Sequence, residues 1–350
     1  MKFLKKILLI LVIFLPSGNI FSEENLFNVN NIELLKKANI SNDQLANKAI
    51  KLGFEELTKK ILLQNDYKKL SQLNFQEIKQ LVSYYQIINS NENKDIKENI
   101  VNFNIFFDRN KLHDLFYKRN IFYSDISNKE LYLLPILIKD DRIFIYTNNY
   151  FYQQWAVIEE KNLIEFILPI ENIEIIQNLN KKKNNLLDLD LNVLFKEYSN
   201  KNLALVILEE DNQKINKIYL RTRIQDKYID KSISSSEVAS NNKEDHYKNT
   251  IKKVNEEITN LVKSQNLIDV RTPSFLNARF SLNKNNTLVE LDKRLEKINL
   301  VEDVFVQEFN NRYVLLKIKF IGKIERILKQ LENQKIILKF INEQWSIKII

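Results

Sequence analysis

The first 22 residues have the features of a secretory signal peptide. Residues 1–6 carry three lysines and no acid, residues 7–15 form an unbroken apolar run, and residues 16–22 are rich in polar and small residues. The apolar run is much shorter than the roughly 18 residues that a membrane-spanning helix needs. We therefore predict cleavage near Ser22 and a periplasmic location for the mature protein.

An uncleaved leader is the alternative, and it would tether the protein to the inner membrane. No stretch after residue 22 reaches transmembrane length. We therefore expect no membrane-spanning segment once the signal is removed, and we expect any association with the inner membrane to depend on the leader or on a partner.

The chain has no cysteine, although an exported protein is free to form disulfides. Its stability must therefore come from packed cores, and a lipid anchor attached through cysteine is excluded. Hydrophobic residues make up 44% of the chain, and its length of 350 residues suggests two or three domains. We predict an α+β protein of two to three stacked α/β domains.

The charge pattern is that of an ordinary solvated surface. The chain has 53 Lys and Arg against 45 Asp and Glu, and the two signs are interspersed along the sequence. A nucleic-acid site would need clustered cations with stacking aromatics nearby. We therefore expect no nucleic-acid partner.

Hydrophobic spacing divides the mature chain into four parts. Residues 23–127 predict an N-terminal α/β domain that opens with a loose lead-in up to residue 40. Residues 128–225 predict a middle α/β domain, and the serine-rich residues 226–245 a linker or disordered segment. Residues 246–350 predict a helix followed by a C-terminal module.

Two local patterns in the first two domains make specific predictions. Ser41 and Gln44 form a capping box that starts a helix, in which Gly53 allows close packing. Residues 131–138 predict a buried strand. Because Pro135 has no N–H to donate to a sheet, we expect it at a bulge or at the end of that strand.

The last eighty residues predict a ferredoxin-like module. Their pattern is strand, helix, strand, strand, helix, strand, which is the split β-α-β-β-α-β order. A further strand at residues 345–349 is expected to pair with the strand before it.

Several passages resemble a family of exported proteobacterial proteins described as a domain of unknown function. In that family an aspartate-bearing strand end precedes a helix, and a strand with a central proline precedes an Asn, Trp, Ala, Trp pattern. A Gly before a helix and a Trp near the terminus follow. The positions that carry the resemblance here are 103–116, 133–138, Asn149, Phe151, Gln154, Trp155, Gly322 and Trp345.

The resemblance implies periplasmic residence and stacked α/β domains, without an activity. The middle region also resembles the N-terminal α/β domain of the Tol system propeller protein at the level of the fold. Phe151 and Gln154 differ from the residues usual in the exported family.

No catalytic, cofactor or metal signature stands out. The two histidines, His113 and His246, have no cysteine or second histidine at ligand spacing. Three glycines cannot build a phosphate-binding loop. We therefore predict no metal, no cofactor and no enzymatic activity.

The alternative activity is that of an envelope glycan hydrolase. Asp188 and Asp190 flank Leu189, and on a strand this spacing would place both carboxylates on one face as an acid/base pair. Asp190 is equally well placed to cap the helix that follows, which is the interpretation that we favour.

The aromatic residues Tyr150, Phe151 and Trp155 are the candidate partner surface, because Tyr and Trp are enriched in binding hot spots. Packing of the same residues in the core is the competing interpretation and the one that we favour. We expect a non-catalytic periplasmic protein that works through contacts with an envelope protein. Strand addition at the edges of the C-terminal module would suit such contacts.

Overall fold

The computed structural model describes residues 26–36, 40–89, 100–126, 130–155, 164–212, 214–234, 242–282, 288–341 and 344–350. The chain is an α+β protein with several mixed domains, as predicted. The signal segment, with Ser22 and its cleavage, lies outside the described residues. Among the described helices, none combines a membrane-crossing length with sufficient apolarity.

The N-terminal part is a three-stranded antiparallel sheet in the order β1-β3-β2, with helices beside it. Its elements are β1 (Asn28–Leu35), α1 (Asn42–Ile61), α2 (Gln64–Leu70), α3 (Phe75–Gln80), β2 (Val82–Asn89), β3 (Ile100–Phe107) and α4 (Arg109–Arg119). The prediction of a loose lead-in before residue 40 is wrong for β1. Its alternation of buried positions is interrupted by a bulge at Asn31, which hides the strand pattern in the sequence.

Helix α1 starts as its sequence predicts. The Ser41 side chain accepts from the backbone N–H of Gln44, and the Gln44 side chain accepts from the N–H of Ser41. Gly53 lies against the sheet, where an added Cβ would come 3.0 Å from Cδ1 of Ile32 and 3.2 Å from Cγ1 of Ile105. The glycine therefore allows α1 to pack closely on β1 and β3.

The middle part is a six-stranded mixed sheet in the order β10-β9-β8-β5-β6, with β7 also beside β5. A short strand, β4 (Tyr123–Ser124), precedes it. Its elements are β5 (Glu130–Lys139), β6 (Arg142–Phe144), α5 (Tyr150–Trp155), β7 (Glu165–Ile167), α6 (Ile173–Lys181), α7 (Leu191–Leu194), β8 (Asn202–Asp211), β9 (Lys214–Ile224) and β10 (Lys227–Ser234). Strands β5 and β8 are parallel and form its buried centre.

Pro135 lies in the middle of β5, contrary to the prediction of a bulge or a strand end. On one side β5 pairs with β8; on the other, β7 pairs with residues 130–132 and β6 with residues 137–139. Pro135 faces the gap between these two short strands, so its missing N–H leaves no ladder bond broken. The buried Asn149 side chain donates to Pro135 O at 2.9 Å and thereby satisfies the carbonyl there.

Residues 227–234 form the edge strand β10, so the prediction of a linker over 226–245 is wrong for this part. Gln225 and Asp226 both have positive φ, +49° and +61°, and close the two-residue hairpin between β9 and β10. Most of β10 is solvent-exposed, which is why its sequence has the low apolar density of a loop.

Helix α8 (Lys243–Gln265) packs its apolar stripe on the middle sheet, mainly on β9. The sequence pattern predicts that this helix belongs with the C-terminal module. Its buried residues instead share a core with the middle sheet: Tyr247, Ile251, Val254, Ile258 and Val262. Strand β11 (Leu267–Ile268) then pairs with β4 and leads into the C-terminal part.

The C-terminal part has the predicted strand, helix, strand, strand, helix, strand order. Its elements are β12 (Ser274–Ser281), α9 (Leu288–Leu295), β13 (Val301–Phe309), β14 (Tyr313–Phe320), α10 (Ile324–Asn333), β15 (Ile336–Ile341) and β16 (Gln344–Ile349). The sheet order is β13-β14-β12-β16-β15. Strand β16 pairs with β15 as predicted and also with β12, in parallel, so it lies between them.

The described residues form three apolar cores. One is continuous between the N-terminal sheet and the C-terminal module, and the other two lie on opposite faces of the middle sheet. The N-terminal sheet and the C-terminal module therefore pack against each other.

Candidate functional site

The predicted partner surface at the aromatic cluster is wrong for two of its three residues. Phe151 is fully buried and Trp155 is 3% exposed, while Tyr150 is half-buried against Tyr247 at a ring distance of 5.0 Å. Helix α8 covers the cluster. The core interpretation that the sequence analysis favours holds for Phe151 and Trp155.

A buried hydrogen bond fixes the position of Trp155. Its Nε1 donates to Oδ1 of Asn255 on α8 at 2.9 Å, and Asn255 is itself 2% exposed. A buried indole N–H needs such a partner, so the pair joins α5 to α8 in one orientation. The tryptophan therefore has a structural role.

Asp188 and Asp190 are engaged in local structure. Asp190 is the N-cap of α7, and its Oδ1 accepts from the N–H of Asn192 at 2.8 Å. Asp188 accepts from the side chain of Asn185, and both aspartates are exposed. These contacts fit the capping interpretation, and neither carboxylate lies in a buried setting suited to acid/base work.

The two histidines lie in different parts of the molecule, and each makes a contact that does not involve the other. Nδ1 of His113 lies 3.5 Å from Oε1 of Glu302, and Nε2 of His246 accepts from the N–H of Ile215 at 2.9 Å. Across the described ranges, no group of three or more His, Cys, Asp or Glu residues could hold a metal ion.

A cleft of about 670 Å³ lies where the N-terminal and C-terminal parts meet the turn between β9 and β10. Asp125 and Arg326 line it with their charged groups 3.6 Å apart. Burial raises the pKa of Asp125, although Arg326 acts in the opposite direction. Arg326 also donates to Oδ1 of Asn266 at 3.2 Å. The ion pair of Asp125 and Arg326 is therefore part of a hydrogen-bond network that holds the neighbouring elements together.

The edge strand β2 exposes several large apolar side chains. It pairs with β3 on one side, and its other edge has no partner strand among the described residues. Four large apolar side chains along it are substantially exposed: Tyr84 50%, Tyr85 40%, Ile87 42% and Ile88 45%.

The register explains why both faces of β2 are uncovered. Tyr85 and Ile87 are paired with Ile105 and Phe103, whose side chains are buried, and therefore point to the core side of the sheet. Helix α1 packs on β1 and β3, and the helix in contact with β2 is the short α3 just before it, so much of β2 is left exposed. Tyr84 lies on the opposite face, stacked on Phe106 at a ring distance of 4.2 Å.

The two edges of this sheet differ in their protection. Strand β1 carries a bulge at Asn31 and the charged Glu33, which are devices that discourage pairing with another chain. Strand β2 carries no charge and no proline, and its pairing with β3 is regular from Tyr84 to Asn89. The sequence shows the absence of charge at residues 81–91, although it does not show that the strand is an edge.

Comparisons with protein-family models, with curated proteins and with solved structures found no match to this chain. The resemblances to the exported family and to the Tol propeller protein therefore stay predictions.

Proposed function

We propose that this protein is a non-catalytic, exported protein of the cell envelope that binds a partner protein by strand addition at β2. The observation that carries the proposal is an uncharged edge strand whose outer edge has no partner among the described residues and whose large apolar side chains are exposed on both faces. An edge of this kind pairs readily with another extended chain.

A partner strand would gain both backbone and side-chain contacts. The unpaired N–H and C=O groups of β2 would complete a ladder, and each ladder bond contributes about 1 kcal/mol. Burying the remaining exposed area of the four apolar side chains would add about 1 kcal/mol each. These gains must exceed the cost of association, so a well-matched partner is required.

The two edge strands of the C-terminal sheet, β13 and β15, are less suited to strand addition than β2. Strand β13 exposes Phe305, Val306 and Phe309, but it also carries Asp303 and Glu308. Strand β15 exposes Phe340 and Ile341, but it also carries Lys339 among its exposed residues. Such charges discourage pairing with a second chain, and β2 has none.

The absence of an enzymatic role is part of the proposal. It is supported by the structural contacts of Asp188, Asp190 and the two histidines. The alternative is a glycan hydrolase that uses the two aspartates. Replacing both by Asn should leave the cellular role intact on our proposal and abolish it on the alternative.

Export is supported by the leader sequence, and cell fractionation with N-terminal sequencing tests it. We expect periplasmic protein that starts at Glu23. Protein that keeps residues 1–22 in the membrane fraction would instead support the inner-membrane tether.

Introduction of a charge on the apolar edge strand tests the binding site. Ile87→Lys should abolish co-purification of the partner from the periplasm, because an inserted lysine charge would be buried by the added strand. The control is Val289→Lys, at a position of α9 that is 65% exposed. Equal partner recovery with both variants would overturn strand addition at β2, and circular dichroism checks that both variants are folded.

A further inference from the structure

The sheet of the C-terminal module has one covered face and one open face. Strands β12 and β14 alternate, with buried residues such as Phe280 and Leu316 facing the shared core. The opposite residues face solvent, and no described helix packs on them. This open face includes Phe275 on β12, which is 50% exposed, and Phe305 on β13, which is 47% exposed.

Four cations on this face have no ion-pair partner in the described part of the chain: Arg279, Lys317, Lys339 and Lys348. The register places them there, because Arg279 pairs with Ser346, and Ser346 pairs with Lys339. The acids of the same face already have contacts. Asp303 lies 3.5 Å from Lys319, which it shares with Glu302, and Glu308 accepts from the neutral hydroxyl of Tyr313 at 2.7 Å and keeps its negative charge at the β13 edge.

The cations are close enough to act together. Arg279 and Lys339 are two strands apart, or about 10 Å between backbones, and Arg279 and Lys317 are diagonal neighbours at about 7–8 Å. The screening length at physiological ionic strength is about 8 Å. The diagonal neighbours Arg279 and Lys317, and likewise Lys339 and Lys348, therefore lie within the screening length and form two cationic pairs on the open face, about two strands apart.

Two aromatic rings of this face are already in contact with cations. The Arg279 guanidinium lies 3.9 Å from the ring centroid of Tyr313, and Nζ of Lys317 lies 4.3 Å from that of Phe275. Binding of single-stranded nucleic acid by such a sheet depends on rings that are free to stack with bases. Rings covered by cations favour a partner that brings carboxylates and apolar side chains instead.

We infer that the open face of the C-terminal sheet binds an acidic, amphipathic helical segment of a protein partner. Glutamates seven residues apart on one face of a helix lie about 10 Å apart along its axis, which is close to the separation of Arg279 and Lys339. The apolar side of such a helix would cover Phe305 and Leu315. The inference rests on the proposed protein-binding role, but it concerns a surface separate from β2.

A probe peptide tests this surface in the full mature protein. The probe is a fluorescent helix-forming peptide of about 18 residues, long enough to be helical in water, with a stripe of glutamates bordered by leucines. Two control ligands are used. One is the same peptide with Gln in place of Glu, and the other is an oligothymidylate, which represents single-stranded nucleic acid. Anisotropy measures binding to the native chain, to Lys339→Glu/Lys348→Glu, and to the charge-matched control Lys51→Glu/Lys79→Glu, whose lysines are exposed on α1 and α3.

We expect the acidic peptide to bind about tenfold more weakly to Lys339→Glu/Lys348→Glu and less than twofold more weakly to the control. Equal losses in both variants, equal binding of the Gln peptide, or preferred binding of oligothymidylate would each overturn the inference. Ile87→Lys separates the two proposals. It should leave peptide binding unchanged, so failure of the peptide would refute this inference and leave strand addition at β2 to its own test.

Discussion

His113 on α4 lies against Glu302 on β13, with its Nδ1 3.5 Å from Oε1 of the carboxylate. The other carboxylate oxygen lies 3.0 Å from Nζ of Lys319. Nearby, Arg109 donates to the backbone carbonyl of Asn299 at 3.2 Å. These polar contacts run beside the shared apolar core and connect the N-terminal and C-terminal parts of the chain.

Glu302→Gln should destabilise the protein in a pH-dependent way. The contacts with His113 and Lys319 hold the pKa of Glu302 below its ordinary value, although burial acts in the opposite direction. The carboxylate therefore stabilises the fold above the unfolded-state pKa of about 4.3, and this contribution is lost as the pH falls through the lower folded-state value. We expect a loss of about 1–2 kcal/mol at pH 7, and a smaller loss below about pH 4.

Denaturant unfolding at pH 7 and below about pH 4 measures the stability lost in Glu302→Gln. Asp303→Asn is the matched control, because its carboxylate is 53% exposed and should contribute little. A loss for Glu302→Gln that does not change with pH would refute the pairing.

Gly53→Leu should destabilise the N-terminal part by about 2–3 kcal/mol. A side chain at this position would collide with Ile32 and Ile105, which already lie at contact distance from an added Cβ. Lys51→Leu, on the exposed side of the same helix, is the control. Thermal unfolding of both variants checks the prediction, and an unchanged Tm for Gly53→Leu would contradict the close packing.

Lys263 on α8 should make stability rise with pH relative to a Lys263→Met variant. Its Nζ donates to the carbonyls of Lys59 and Leu62 at the end of α1, and burial lowers its pKa to about 8. Between about pH 8 and pH 10.4 the unfolded chain binds more protons at this residue than the folded chain, so the folded state gains stability as the pH rises. Unfolding free energies of both proteins across this range test the sign, and a difference that falls with pH would contradict it.

Trp155→Ala should cost about 3–5 kcal/mol of stability, because it removes a buried indole and leaves Asn255 without its partner. Tyr117→Ala, at a position that is 60% exposed, should change stability by less than about 0.5 kcal/mol. Equilibrium unfolding compares the two variants. Near-wild-type stability of Trp155→Ala, with loss of partner binding, would restore the surface interpretation.

Local signals predicted most of the helices and strands. The capping box at Ser41 and the strand and helix order of the last eighty residues agree with the structure, because both patterns are local in the sequence. Strands at the sheet edges were harder to predict. A bulge at Asn31 hides β1, and exposure on both faces makes β10 look like a loop.

The candidate site depended on information that is not local. The position of β2 at a sheet edge follows from the pairing of β3 with both β1 and β2, which lie far apart in the sequence. Phe151 and Trp155 show the converse case. Their burial depends on α8, which lies about 100 residues further along the chain.

Hydrogen exchange of the β2 backbone tests the central claim most directly. The amides of residues 83–89 would be measured in the free protein and in the complex purified from the periplasm. We predict at least tenfold slower exchange for alternate amides of β2 in the complex, with β10 unchanged as the control edge. A stable complex in which β2 exchanges as fast as in the free protein, and another surface is protected, would contradict the account.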